Sequence, residues 1–265
     1  GSAAAWERFG MAQRGWLALL AGLLLQGVQA AEPLRVLTEH APPGEYLAAD
    51  GRVTGPTAEM VRELLQRAGE SAEIELLPWM RAYQITSNAT APVALFETSR
   101  TPEREAQFKW VGPIKRIRWG LYDRAERARP LADLEQARQA TSICTYIGDG
   151  KGDLLAQHGF SNLFRPVKSQ QCFDMLRLGR DTLWLSSDIE MENIRSGTGL
   201  QLQQVLAIDS LDLYIAFSLA TPDATVRHWQ DTLDAMKREG SLARHYRGTY
   251  ADSLIEEISQ VSVAP

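Results

Sequence analysis

Glu97-Thr98-Ser99-Arg100-Thr101-Pro102-Glu103-Arg104-Glu105 is the stretch that decides how this chain reads. It closes an apolar run over residues 91–96, the pattern of a buried strand. A turn rich in Ser and Thr follows. Pro102 and Glu103 then predict a helix start, because a first helical turn tolerates a missing N–H and favours negative charge. Arg104 adds a planar fork able to pair a carboxylate through two parallel hydrogen bonds. Strand end, helix start and arginine together describe a place to hold a small anion.

Outward from that stretch the chain alternates strand and helix. Residues 34–38 and 72–77 read as strands. The spacing of Met60, Leu64, Leu65 and Ala68 predicts a helix over 56–68, stopped by Gly69. Pro78 opens a second helix that begins Trp79-Met80-Arg81. Beyond Tyr122, short helices (130–136, 153–158, 172–178 and 188–195) separate strands at 141–147, 182–186, 203–208 and 213–218. A long helix over 224–239 ends at Gly240. This alternation predicts an α/β fold with covered sheet faces.

With the Thr101-Pro102-Glu103-Arg104 motif in view, the chain resembles the periplasmic solute-binding proteins of the amino-acid-binding type (family 3), in a divergent branch. Further anchors are the Asp50-Gly51 turn with Gly55 beyond it, Gly112-Pro113, Gly179-Arg180-Asp181 and Met236-Lys237-Arg238-Glu239-Gly240. The resemblance spans residues 34–250. It implies a two-lobed type II binding-protein fold, each lobe a β-sheet flanked by helices, joined by a two-strand hinge. Lobe 1 would be discontinuous (34–121 and 213–265) and lobe 2 continuous (122–212), closing around a ligand by a few backbone rotations.

The resemblance also implies site residues. Arg104 would grip a ligand carboxylate beside Ser99 and Thr101. Glu97 stands where relatives carry a small or polar residue, so it is expected to face Arg100 or a ligand ammonium. The turn Gly148, Asp149, Gly150 would close over the ligand with its backbone N–H groups. Asp188 would hold an α-ammonium, with helix capping as its competing role. Tyr46 and Trp79 would lie against the ligand, Arg81 would give a second anion contact, and Glu39 would face the mouth of the cleft. The function so implied is the binding component of an ABC-type transporter, delivering an amino acid or related small carboxylate to an inner-membrane permease, as a monomer. The alternatives are an enzyme on the same fold, of the cyclohexadienyl dehydratase kind, and a protein that presents ligand to a sensor.

Residues 1–10 read as an extension before Met11. A positive start at 11–14, an apolar run over 16–25 and Val28-Gln29-Ala30 together read as a signal peptide cut after Ala30, which places the mature protein in the periplasm. The apolar run is shorter than the ~20 residues a membrane span needs. Of the 265 residues 45% are hydrophobic and 23% charged, with a net charge of −5. That balance offers no basic field for nucleic acid. Lys115-Arg116-Ile117-Arg118 reads as the solvated face of a strand. The four His are dispersed and no metal or cofactor motif is present. Cys144 and Cys172 fit either a disulfide, which an exporting compartment permits, or two buried thiols.

Overall fold

The computed structural model describes residues 32–147 and 149–261. The leader read at 11–30, the extension before it and Gly148 lie outside the described residues. No helix among the described residues is long and apolar enough to cross a membrane.

Ten strands and nine helices are formed among the described residues. In the first part of the chain these are β1 (Arg35–Thr38), β2 (Tyr46–Leu47), β3 (Val53–Thr54), α1 (Pro56–Ala68), β4 (Ile74–Leu76), α2 (Trp79–Asn88) and β5 (Val93–Ser99). The long strand β6 (Lys109–Arg124) follows, then α3 (Leu134–Ala137), β7 (Ile143–Cys144), α4 (Gly150–Gln157), β8 (Leu163–Phe164) and α5 (Ser169–Arg177). Next come β9 (Leu183–Ser187), α6 (Asp188–Thr198), a second long strand β10 (Leu202–Phe217), α7 (Asp223–Glu239), α8 (Ser241–Tyr246) and α9 (Asp252–Ile258). Apart from the β2–β3 hairpin, the strands form one mixed eight-stranded sheet in the order β4-β1-β5-β10-β6-β9-β7-β8. It is continuous because β6 and β10 pair antiparallel along nearly their whole length, from Leu202 opposite Arg124 to Phe217 opposite Lys109.

The buried residues fall into separate groups along that sheet. The largest packs Val36, Phe96, Ile114, Ile215 and Phe217 against Leu64 of α1, Trp229 of α7 and Tyr246 of α8; its fully buried members lie in residues 34–114 and 215–258, and half-buried Ile189 of α6 packs against it. Leu37 and Leu95 cover the opposite face with Ala82 of α2. Two further groups, one around Leu121, Ile143 and Leu185 and one around Cys144, Cys172 and Trp184, draw only on residues 121–205. Cys144 and Cys172 are joined as a disulfide, Cα–Cα 5.6 Å, fastening α5 to β7.

Helix α1 matches the predicted range because every local signal agrees. Pro56 occupies its first turn, its buried face carries Met60, Val61, Leu64 and Leu65, and Gly69 leaves it at φ 80°. Other expectations need correction. Pro102 opens no helix: residues 102–107 form successive turns, with Arg104 N–H donating to Thr101 O (3.0 Å) and Gln107 N–H to Arg104 O (2.9 Å). The Glu103 carbonyl, which a helix would give to the Gln107 N–H, is taken by the Gln107 side chain at 3.1 Å. The strand read over 141–147 shortens to Ile143–Cys144. The two strands read at 203–208 and 213–218 are one. The polar stretch between them stays in the sheet with its charges matched: Asp212 pairs across the strands with Arg116 (2.6 Å), and Asp209 pairs with Lys151 of α4.

Candidate functional site

Two irregularities in the sheet set the chemistry. Opposite β10, β5 carries a bulge between the pairs Leu95–Ala216 and Thr98–Tyr214. Inside that bulge Glu97 adopts φ 62°, the only positive φ of a non-glycine residue among those described. A second register shift, between Leu213 and Ile215 of β10, lies opposite residues 111–115 of β6. It breaks the alternation of side chains, so Ile114 and Lys115 are both buried. Lys115 is thus no part of a solvated face; the bulge turns it inward, where its Nζ meets Glu97 Oε2 at 2.7 Å with both side chains 4% exposed.

The loop over 41–45 roofs this pair. Gly44 passes so close that a Cβ there would lie 2.8 Å from Lys115 Nζ. Its carbonyl accepts the N–H groups of Thr57 (3.0 Å) and Ala58 (3.3 Å), capping α1 in place of a side chain. Tyr250 Oη lies 3.4 Å from Lys115 Nζ and 3.3 Å from Thr57 Oγ1. Glu45 is fully buried beneath the same loop and neither of its carboxyl oxygens has a hydrogen-bond partner. Burial would lower the Lys115 pKa, but Glu97, Tyr250 and Glu45 outweigh it and hold the ammonium above its ordinary value. Burial, and then the charge of Glu97, raise the half-buried Glu39.

The same two causes push the Glu45 carboxyl up to about 10, so it is neutral at neutral pH. A proton bound in the folded state and released on unfolding stabilises fully below the unfolded value; that contribution is lost as pH rises through the folded one. Stability should therefore fall between about pH 4 and pH 10 on account of Glu45. Glu45→Gln, shaped like the neutral acid, should unfold about 1–3 kcal/mol later than the parent near pH 7 and level with it near pH 4. Urea titrations at the two pH values check this; an offset that does not change with pH would contradict it.

Arg104 sits elsewhere. Its Nη1 donates to Ser99 Oγ (2.9 Å) and Ser99 O (3.2 Å), and its guanidinium lies over the rings of Trp79 (5.4 Å) and Tyr83 (5.1 Å). Thr101 contributes the backbone carbonyl of the turn. Arg100 pairs both oxygens of Glu105 rather than Glu97. Arg81 is exposed on α2, and Tyr46 is 38% exposed on the small hairpin.

A cavity of about 280 Å³ opens on the other side of the 41–45 loop. Pro42 and Pro43 form one wall, Trp119 of β6 the second, Tyr146 and Asp149 the third, and Ser186, Ser187 and Glu190, at the β9–α6 junction, the fourth. Asp149 caps α4: its carboxylate accepts the Lys151 N–H (3.0 Å) and the Thr145 hydroxyl (3.0 Å). Gly150 is the first residue of that helix. Ser187 caps α6 by accepting the Glu190 N–H at 3.1 Å, which leaves Asp188 free of the capping role. Asp188 turns to the sheet and accepts Arg118 N–H (3.1 Å) and Ile189 N–H (3.0 Å). The acid of α6 that lines the cavity, beside Asp149, is Glu190, which accepts the Ser186 hydroxyl. Burial, with the Asp149 charge a lesser cause, raises its pKa.

The sequence-derived residues are thus distributed over three places. Arg104, Ser99 and Trp79 meet where β5 ends, beside the start of α2. Glu97 and Glu39 join the buried Lys115 cluster, and of the expected ligand contacts Asp149 lines the cavity. Sequence reasoning missed Glu45, Lys115, Trp119, Tyr146 and Glu190. Pro42-Pro43 before Gly44-Glu45 was the one local signal of a rigid loop at this point.

The fold is shared with solved structures at low identity. The L-cystine solute receptor of Neisseria gonorrhoeae, unliganded and open, matches with TM-score 0.66 and 14% identity over 84% of this chain and 95% of its own. The second substrate-binding domain assigned to an amino acid ABC transporter of Streptococcus pneumoniae matches with TM-score 0.66 and 14% identity, over 83% and 100%. A histidine kinase sensor domain similar to periplasmic binding proteins gives TM-score 0.61 and 18% identity, over 83% and 98%. None of the curated proteins compared with the chain matches it. The sequence profile of the bacterial extracellular solute-binding proteins, family 3, matches residues 34–250, and the chain belongs to that family.

Proposed function

We propose that this protein is the exported, periplasmic binding component of an ABC-type transporter, and that it captures a small solute of the amino-acid class in the cavity bounded by Pro42, Trp119, Asp149 and Glu190. On this reading residues 34–121 with 213–265 form one lobe and residues 122–212 the other. They close on the solute by bending β6 and β10. One observation carries the reading: the cavity takes its walls from Pro42 and Pro43 on one side and from Tyr146, Asp149 and α6 on the other, and the fully buried residues of 34–114 with 215–258 and those of 121–205 form different groups, with half-buried Ile189 of α6 reaching the first. A ligand touching both favours the arrangement in which they approach, and shifts the equilibrium only by that preference.

Trp119 supplies the test. A solute in the cavity lies against its indole, so binding should change tryptophan emission, and Trp119→Ala should lose both affinity and that response. At a free concentration of 100 Kd the solute should add about 2.7 kcal/mol of stability, which for a domain of this size raises Tm by roughly 5–10 °C. A solute that stabilises parent and Trp119→Ala equally would place the site elsewhere.

A further inference from the structure

We infer that the cavity recognises its ligand by a cationic end, an alkylammonium or guanidinium seated between the carboxylates of Asp149 and Glu190 against the rings of Trp119 and Tyr146, and that it grips no ligand carboxylate through Arg104. This rests on the cavity being the solute site and adds the charge of what enters it.

Four observations lead there. Both charged groups lining the cavity are acids, and no lysine, arginine or histidine is among its walls. The two acids sense one another: the Asp149 charge is one of the causes that raise Glu190. A cation placed between them would relieve that repulsion, whereas an anion would add a third negative charge in a partly buried space. Two cations touch the walls from behind without lining the cavity, and each has its own carboxylate: Lys151 pairs with Asp209 and lies 4.8 Å over the Trp119 ring, and Arg165 pairs with Asp153 at 2.8 Å and donates to the Asp149 carbonyl at 3.4 Å. Finally, two aromatic side chains stand beside the acids, and aromatic faces attract cations and suit the methylene chain of an amine. Arg104, whose charge would be needed for a carboxylate, does not line the cavity and is held by Ser99, Trp79 and Tyr83.

The experiment is titration calorimetry of the full chain against putrescine and agmatine (cations without a carboxylate), lysine and arginine (cations with one), and succinate and glutarate (carboxylates without an amine). At least one cation without a carboxylate should bind. Glu190→Gln should weaken it by about 30-fold, the factor equivalent to about 2 kcal/mol for removing one partner of a desolvated charge pair. Arg104→Ala should leave it within about threefold, since that side chain is outside the cavity. Thermal unfolding of each variant verifies that it is folded. The inference is overturned if no cation of the panel binds at millimolar concentration, if Glu190→Gln binds as well as the parent, or if Arg104→Ala loses the ligand. A dicarboxylate whose binding changes Trp119 emission would sink the cation inference while leaving the cavity as the site. Binding that changes neither with Glu190→Gln nor with Trp119→Ala would remove both.

Discussion

Lys115→Met should lower the unfolding free energy by about 3–5 kcal/mol, the usual cost of removing one member of a buried ion pair. The loss does not measure the attraction between Lys115 and Glu97. It measures what the substitution leaves behind: Glu97, 4% exposed and held in a bulge, would face Glu45 and Glu39 with no cation between them. Glu97 would then have to take up a proton or break the roof over it. Glu97→Gln should be milder, about 1–2 kcal/mol, because Lys115 keeps Tyr250 Oη at 3.4 Å and Glu45 can give up its proton to become the counter-ion. Lys115→Met combined with Glu97→Gln should recover more than half of the single-variant loss, since no unpaired charge remains. Denaturant titrations with an unchanged slope would establish these differences. A Lys115→Met protein as stable as its parent would show that the cluster is open to water.

The second large effect is expected at the disulfide. Cys144 and Cys172 are 28 residues apart in sequence. On the chain-entropy view a link of that span stabilises by about 3–4 kcal/mol through the unfolded state. Cys144→Ala combined with Cys172→Ala should lose that amount, and the loss should be local. The bond joins α5 to β7 within the group of buried residues that includes Trp184, Leu176 and Met191, while α1, α7 and α8 pack in a different one. Hydrogen exchange should therefore quicken in β7, β9 and α5 before it changes in β1 and β5. Uniform loosening across the sheet, or a loss below about 1 kcal/mol, would contradict this account.

Much of the fold was legible because local signals agreed with tertiary demand. Helices α1 and α7 carry a proline entry, an apolar stripe and a glycine exit, and both formed where the sequence placed them. The apolar alternation also located β1, β4 and β5 to within a few residues. The failures share a cause. Pro102 and Glu103 carry a helix-start signal, but only Ala106 among residues 102–107 is apolar, so nothing would bury the helix against the sheet. Lys115 reads as exposed because strand alternation assumes an unbroken ladder, and the register shift beside it cannot be seen in composition. The site was harder still. Glu190 lies one helical turn from Ser186 and Ser187, in a segment with no motif, and Trp119 is one aromatic in a long strand; proximity across the sheet alone makes them a cavity wall. Arg104 was conspicuous as part of a motif, and the fold sets its guanidinium against Ser99, Trp79 and Tyr83, neighbours that the motif does not reveal.

The position of β10 has a consequence for biosynthesis. It lies between β5 and β6 at the middle of the sheet, yet it follows every other strand of that sheet in the chain. A nascent polypeptide that has emerged only as far as residue 201 carries two unsatisfied strand edges, one on β5 and one on β6, each of which invites pairing with a neighbouring polypeptide. Completion of the sheet waits for those last residues, so an interrupted or slowly delivered chain should be aggregation-prone until residue 217 is available.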